Sequence, residues 1–221
     1  MLNDYQALVA SLIRDDGGAI SSVQLDNTIA LAVSRYSTNF PRVLVADLSS
    51  NGTALLALPN DWLNEVSTVQ SVEYPIVFPP LELEATHYQI YQTPTAYNLG
   101  FDFIPTGSVR LRYSVLHSVT DSVDTIPLTC REAVCYLAAA SCCEQLAAYY
   151  ASASDATIQA DHVQRNSQSK DYLNLAKAYR SRYFTLLGIK ETTLHGASSV
   201  VDWDLNNSLG QDRFNKPNRL R

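Results

Sequence analysis

The sequence predicts an α+β fold: a helical bundle carrying an inserted small antiparallel β domain and an extended C-terminal tail. Three observations point to it. Helical 3/4 spacing of apolar residues marks both ends of the first 188 residues. Between them lies a proline-punctuated stretch of short apolar runs. After Leu186-Leu187-Gly188 the periodicity stops, yet 33 residues follow. The organisation read from this is a helical core over 1–42 and 121–188, a β domain over 43–120, and a tail over 189–221.

The first helix is expected over 3–15, with Tyr5, Leu8, Val9, Leu12 and Ile13 on one stripe. Asp15-Asp16-Gly17-Gly18 ends it, a glycine taking the left-handed cap. Ser21-Ser22-Val23-Gln24 is a capping-box pattern that opens a second helix. Ile29, Val33, Tyr36 and Phe40 form its buried face, and Pro41 stops it.

The β region opens with runs 43–48 and 53–58 around Ser49-Ser50-Asn51-Gly52, a hairpin signal. Further strands are expected over 66–74, 87–92, 99–104 and 108–116. Six of the nine prolines (59, 75, 79, 80, 94 and 105) fall between these runs, where proline does not cost a ladder hydrogen bond.

Helix resumes after Pro127. Thr129-Cys130-Arg131-Glu132 reads as a second capping box. The segment to Ala151 is crowded with Ala, Ser and Cys. Small residues allow close approach, so this is expected to be the central helix of the bundle. Asp155 is the expected cap of a last helix running to Leu187, with Tyr172, Leu175, Ala176, Tyr179, Tyr183 and Leu186 on its apolar face and a polar first half over 159–170.

The tail carries Trp203, Leu205, Leu209 and Phe214 and closes with Arg213, Lys216, Arg219 and Arg221. Spaced apolar anchors with a basic end are unlike the aromatic-poor composition of disordered tails. They read as a segment that docks on another protein. The alternative is a terminus that folds back on its own domain or frays.

Composition narrows the function. The chain is 46% hydrophobic and 17% charged with 13 Tyr, a low charge fraction that points to a surface covered by other protein. Residues 1–155 hold 6 basic against 16 acidic residues, and 156–221 hold 10 against 6. Opposite signs at opposite ends favour head-to-tail contact. No apolar run reaches the ~20 residues of a membrane span. The start, Met1-Leu2-Asn3-Asp4-Tyr5, lacks signal-peptide character, so synthesis in the cytoplasm is expected.

No cofactor, metal or catalytic set is predicted. Cys130, Cys135, Cys142 and Cys143 share one helix without C-x-x-C or ligand-spaced His, which favours buried free thiols over zinc. His87, His117, His162 and His195 are scattered. A Cys143–His162 nucleophile and base, or a Glu82–Glu84 acid pair, finds no supporting motif. Arg165, Lys170, Lys177, Arg180, Arg182 and Lys190 make the last helix basic, but no recognition-helix pattern accompanies them.

The order of parts resembles the head-to-tail connector (adaptor) proteins of tailed bacteriophages, in the larger members with a β domain inserted in the helical core. The stretches that carry the likeness run from Val45-Ala46-Asp47-Leu48 through Leu58-Pro59-Asn60-Asp61-Trp62, then Val72-Glu73-Tyr74-Pro75. Arg112-Tyr113-Ser114-Val115-Leu116-His117, Ile126-Pro127 and Tyr183-Phe184-Thr185-Leu186-Leu187-Gly188 continue it. It covers about residues 1 to 190 and rests on organisation rather than on one motif.

The resemblance implies a virion protein of the neck. It would form a self-assembled ring, a dodecamer in that family, beneath the portal protein. Such a ring extends the DNA channel and presents a surface to a downstream tail or neck protein. It also implies that the tail reaches the portal, through Trp203, Leu205, Leu209, Arg213, Phe214, Lys216, Arg219 and Arg221. Rival readings are another neck or tail component (tail completion or terminator), a small cytoplasmic enzyme, and a DNA-binding regulator.

Overall fold

The structure, a computed structural model, describes residues 1–15, 17–152 and 159–190, with the backbone alone over 159–166. Its elements are helices α1 (Leu2–Ile13) and α2 (Ser22–Asn39), strands β1 (Arg42–Ser49), β2 (Leu55–Ala57), β3 (Val69–Glu73), β4 (Tyr88–Gln92), β5 (Tyr97–Phe101) and β6 (Ser108–Val115), then α3 (Arg131–Ser152) and α4 (Gln159–Leu187). This is the α+β architecture predicted: helices flank an antiparallel β region in the chain. Met1–Ile189 forms one compact unit, and Lys190–Arg221 a second, of which only Lys190 is described.

The helical core is built around α3. Its buried residues are mostly small: Ala133, Ala138, Ala139, Ala140, Cys142, Cys143 and Ala147. Their size lets α1, α2 and α4 all pack against it. Helices α3 and α4 run antiparallel, as Ser169 Oγ donates to the Ala147 carbonyl at 2.9 Å while the Tyr136 and Tyr179 rings meet with centroids 5.5 Å apart. At ~1.5 Å per residue the 29-residue α4 spans about 43 Å. It ends in a full Schellman motif. Gly188 has φ 65°, its amide bonds the Thr185 carbonyl, and the Ile189 amide bonds the Phe184 carbonyl.

Several local expectations need correction. Helix α1 stops at Ile13, and Arg14, not a glycine, takes the left-handed cap at φ 48°. Leu8, Phe40 and Leu186 are exposed rather than buried. The predicted capping box at Ser21 forms in full, its hydroxyl accepting from the Gln24 amide and the Gln24 side chain accepting from the Ser21 amide. The one at Thr129 does not: a 3-10 turn over Leu128–Cys130 leads into α3 without a side-chain cap. Asp155 lies outside the described residues.

The Asn51-Gly52 hairpin is also overturned. A turn forms, with Asn51 Oδ1 accepting from the Thr53 amide at 3.1 Å and Gly52 at φ 79°. It redirects the chain instead of folding it back. Ser50 is held to the β5–β6 connection, its amide donating to the Gly107 carbonyl (2.8 Å) and its hydroxyl to the Pro105 carbonyl (2.6 Å). Strand β1 pairs with β6 over all eight residues, whereas β2 joins β5. The distant partner wins because it offers a much longer ladder.

Two three-stranded antiparallel sheets result, ordered β1-β6-β3 and β2-β5-β4. Leu56, Leu99 and Phe101 of the second share one core with Val72, Val109, Leu111, Tyr113 and Val115 of the first. The chain enters this region beside its exit. His117 ties the crossing: its amide donates to Ser37 Oγ (2.9 Å), Nε2 lies 3.1 Å from the Phe40 carbonyl oxygen, and Nδ1 lies 2.9 Å from the Thr125 carbonyl oxygen.

Candidate docking surfaces

The predicted portal-binding residues Trp203, Leu205, Leu209, Arg213, Phe214, Lys216, Arg219 and Arg221 all lie outside the described residues. The surface of the described part offers other features, and sequence reasoning did not single out the two that stand foremost.

The foremost is the connection between β3 and β4. From Tyr74 to Leu81 it reads Tyr-Pro-Ile-Val-Phe-Pro-Pro-Leu, without a charge. Its base is closed like a hairpin: the Tyr74 amide bonds the Leu81 carbonyl (3.0 Å), the Leu83 amide bonds the Val72 carbonyl (2.7 Å), and Glu73 bridges Glu82. Tyr74 fixes the base from the side, its hydroxyl accepting from the Thr106 amide at 2.9 Å and its ring resting 5.3 Å from Phe103. Beyond this base Val77, Phe78 and Leu81 stand in solvent, Phe78 at 97% exposure. An apolar tip on a hydrogen-bonded base is preordered, so covering it costs little conformational entropy. The sequence signal was present in the uncharged Pro-Ile-Val-Phe-Pro-Pro run, which reads equally well as a loop plug buried in the core.

The outer face of the first sheet carries a cross-strand ion group. Arg110 holds Asp47 through two bonds of 2.7 and 3.0 Å and reaches Glu73 at 3.7 Å. The hydrogen bond and charge of Arg110 lower the Asp47 carboxyl below its usual range. Both partners are solvated, so the group orients strands more than it stabilises them.

Among the described residues, the chemical groups considered from the sequence do not converge. Cys135, Cys142 and Cys143 are buried, and burial pushes their thiols up, to about 11 for Cys135 and about 12 for Cys143. A thiol so held is a poor nucleophile at neutral pH. His162 lies where only backbone is described. Glu82 and Glu84 are both exposed, on the connection that follows the apolar tip. One cleft of 450 Å³ brings Asp26, His117, Ser34 and Ser118 to its wall. Two of these residues are engaged within the fold: Asp26 accepts from Gln6 Nε2 (2.5 Å), and both His117 ring nitrogens face carbonyl oxygens. Among the described residues no group of three or more His, Cys, Asp and Glu is placed to hold a metal. No described helix is long and apolar enough to cross a membrane.

The basic residues of α4 are partly spoken for. Arg180 pairs with Glu144, and Arg182 donates to the Tyr136 hydroxyl (3.1 Å) while lying 5.4 Å from its ring centre. Arg165 falls where only the backbone is described.

No family model and no curated protein matches the chain. Among solved structures, one of the matches is to a particle neck. It comes from the neck of an empty GTA particle computed with C6 symmetry, at 14% identity over 61% of this chain and 74% of that one, with a TM-score of 0.29. A likeness at that score carries no argument about role, which must come from the chain's own residues.

Proposed function

We propose that this chain is a structural protein of a phage-type neck: a head-to-tail adaptor that assembles as a ring under the portal, extends the DNA channel, and performs no catalysis. The observation that carries the reading is the apolar tip around Phe78. A rigidly based, uncharged projection serves attachment to a concave apolar partner and is a liability on a free monomer. Burial of the thiols and the internal bonding of Asp26 and His117 in the cleft are in keeping with a scaffold rather than a reaction centre. The acidic body repels a duplex and so suits a passage that must not hold DNA.

Two docking elements divide the work. The tip seats in the downstream tail or neck protein. The tail from 191 onward, with Trp203 and Phe214 as anchors, reaches the portal. Phages lacking the chain should then accumulate heads without tails. Supplying the Phe78→Asp variant in trans should leave the protein folded, since the side chain touches almost nothing of its own subunit, yet fail to restore joining. Tailed, infectious particles in the absence of the chain would sink the reading. Full rescue by Phe78→Asp would remove the tip from it. The copy number per particle separates an adaptor of twelve from a sixfold or trimeric tail component.

A further inference from the structure

Among the described residues, three strand edges lack a backbone partner: β1 in the first sheet, and the short β2 and the longer β4 in the second. In the first sheet, β3 is capped by the bonds from Tyr74 and Leu83 to Leu81 and Val72, whereas no described residue bonds the outer edge of β1. In the second, β2 has only three residues, and no described residue bonds the outer edge of β4.

The register states which groups these edges offer. Ser49 lies opposite Ser108, so the bond from the Ser50 amide to the Gly107 carbonyl continues the β1–β6 ladder. Bonded pairs recur every second residue, which leaves Val43, Val45 and Asp47 with amide and carbonyl turned outward. On β4, the bonds of His87 to Asp102 and of Thr93 to Ala96 assign odd residues to β5. Tyr88, Ile90 and Gln92 therefore face outward.

Soluble proteins protect such edges with Lys, Pro, bulges or shortness. Neither strand has Lys or Pro, and β4 has no charge at all. The register irregularity of the first sheet sits on β3, not β1. The Asp47 charge, the natural guard at the β1 edge, is held across the ladder by Arg110. Exposed apolar side chains accompany both edges, Val45 at 60% and Ile90 at 37%.

We propose that β1 of one copy adds antiparallel to β4 of the next, with Val45 opposite Ile90, so that two three-stranded sheets join across the subunit boundary. The occupant is a second copy because one chain carries both halves of the joint. Because the halves lie on different strands, the contact is head-to-tail, and each copy still offers a free edge to its neighbour. Such contacts close into rings when the rotation permits. The inference deepens the ring reading proposed above and rests on it only for closure.

Paired disulfide trapping in the full-length chain tests it. Residues opposite each other in a bonded antiparallel pair lie about 5.5 Å apart at Cα, within disulfide reach. Cys130 is the one native thiol that is not fully buried, so a Cys130→Ser background is used. Val45→Cys with Ile90→Cys should give an oxidation-dependent ladder of multimers, and either change alone should give none. A dimer from Val45→Cys alone would mean β1 pairs with β1 and would overturn the proposal. No ladder from the double variant, with rings nevertheless seen in particles, would overturn it as well and leave the adaptor reading standing; the edge would then be covered by something else, the chain's own tail included. A ladder from a chain found in no particle would leave the joint standing and remove the adaptor role. Val45→Pro removes one outward amide and no β1–β6 bond, a position where strands accept proline. It should abolish assembly with an unchanged circular dichroism spectrum. Should it unfold the chain, Val45→Lys serves in its place, and normal assembly of either folded variant would overturn the joint.

Discussion

At the scale of single residues, the cysteines show how burial decides chemistry. Three thiols lie in the seam where α3 meets its neighbours, and Thr28 Oγ1 sits 3.2 Å from Cys142 Sγ. Their cost is paid in protonation: a buried thiolate loses its hydration, so the neutral form is favoured. Native protein at about pH 8 should therefore take up an alkylating reagent at Cys130 first and resist it at the other three. Rapid labelling of Cys143 would contradict the packing described. The same shifts fix the sign of the alkaline response. In the unfolded chain these thiols ionise near 9, but in the fold Cys135 and Cys143 hold their protons to about 11 and about 12. Their contribution is complete below about pH 9 and is lost as pH rises through 11 to 12. Burial also raises the hydroxyls of Tyr5 and Tyr36, which adds loss in the same direction. Urea midpoints measured from pH 8 upward should fall, and a Cys143→Ala variant should fall less steeply.

At the scale of elements, two helix ends have a clear physical cause: the start of α2 and the stop of α4. Helix α2 begins at a reciprocal box between Ser21 and Gln24, so Ser21→Ala should cost about 1 kcal/mol, read as a lower denaturation midpoint with little change in slope. No change would mean that tertiary contacts alone hold this end. The two strong sequence signals that failed did so for one reason. Asn51-Gly52 and Thr129–Glu132 have the right residues, but the backbone groups they would serve find other partners: β6 for the strand, and a 3-10 turn for the helix. Leu8, Phe40 and Leu186 failed differently. Periodicity marks a stripe, but how wide a stripe is covered depends on the neighbours: α1 buries Tyr5, Val9 and Ile13 fully and Leu2 and Leu12 in part, and leaves Leu8 out.

At the scale of the whole molecule, the body ends at a defined place. The Schellman bonds from Gly188 and Ile189 complete α4, so a truncation that keeps Lys190 retains every one of them. The shortened chain, 1–190, should keep its helix content and melting behaviour but fail to join heads to tails if the Trp203 and Phe214 segment docks on the portal. Unimpaired joining would exclude the tail from that role. Unfolding would mean that residues beyond 190 complete their own domain. Trp203→Ala in the full chain is the finer probe, with a loss of about 2 kcal/mol or more in docking expected for a central aromatic anchor.

The sequence by itself determined what depends on neighbours in the chain. It specified helices at both ends with strands between, because periodicities of 3.6 and 2 and the punctuation of Pro, Gly and Ser are local properties. It specified the small-residue character of the central helix and the stop at Gly188, since only a residue without Cβ takes that conformation without strain. The tertiary structure alone decided which strands pair, which edges stay open, and that the Pro-Ile-Val-Phe-Pro-Pro run projects instead of filling the core. Those outcomes depend on partners far along the chain, from Arg42 against Val115 to Ser50 against Gly107. Strand pairing leaves no periodic trace of its partner in either strand, and an apolar loop has the same composition whether it faces the core or another protein.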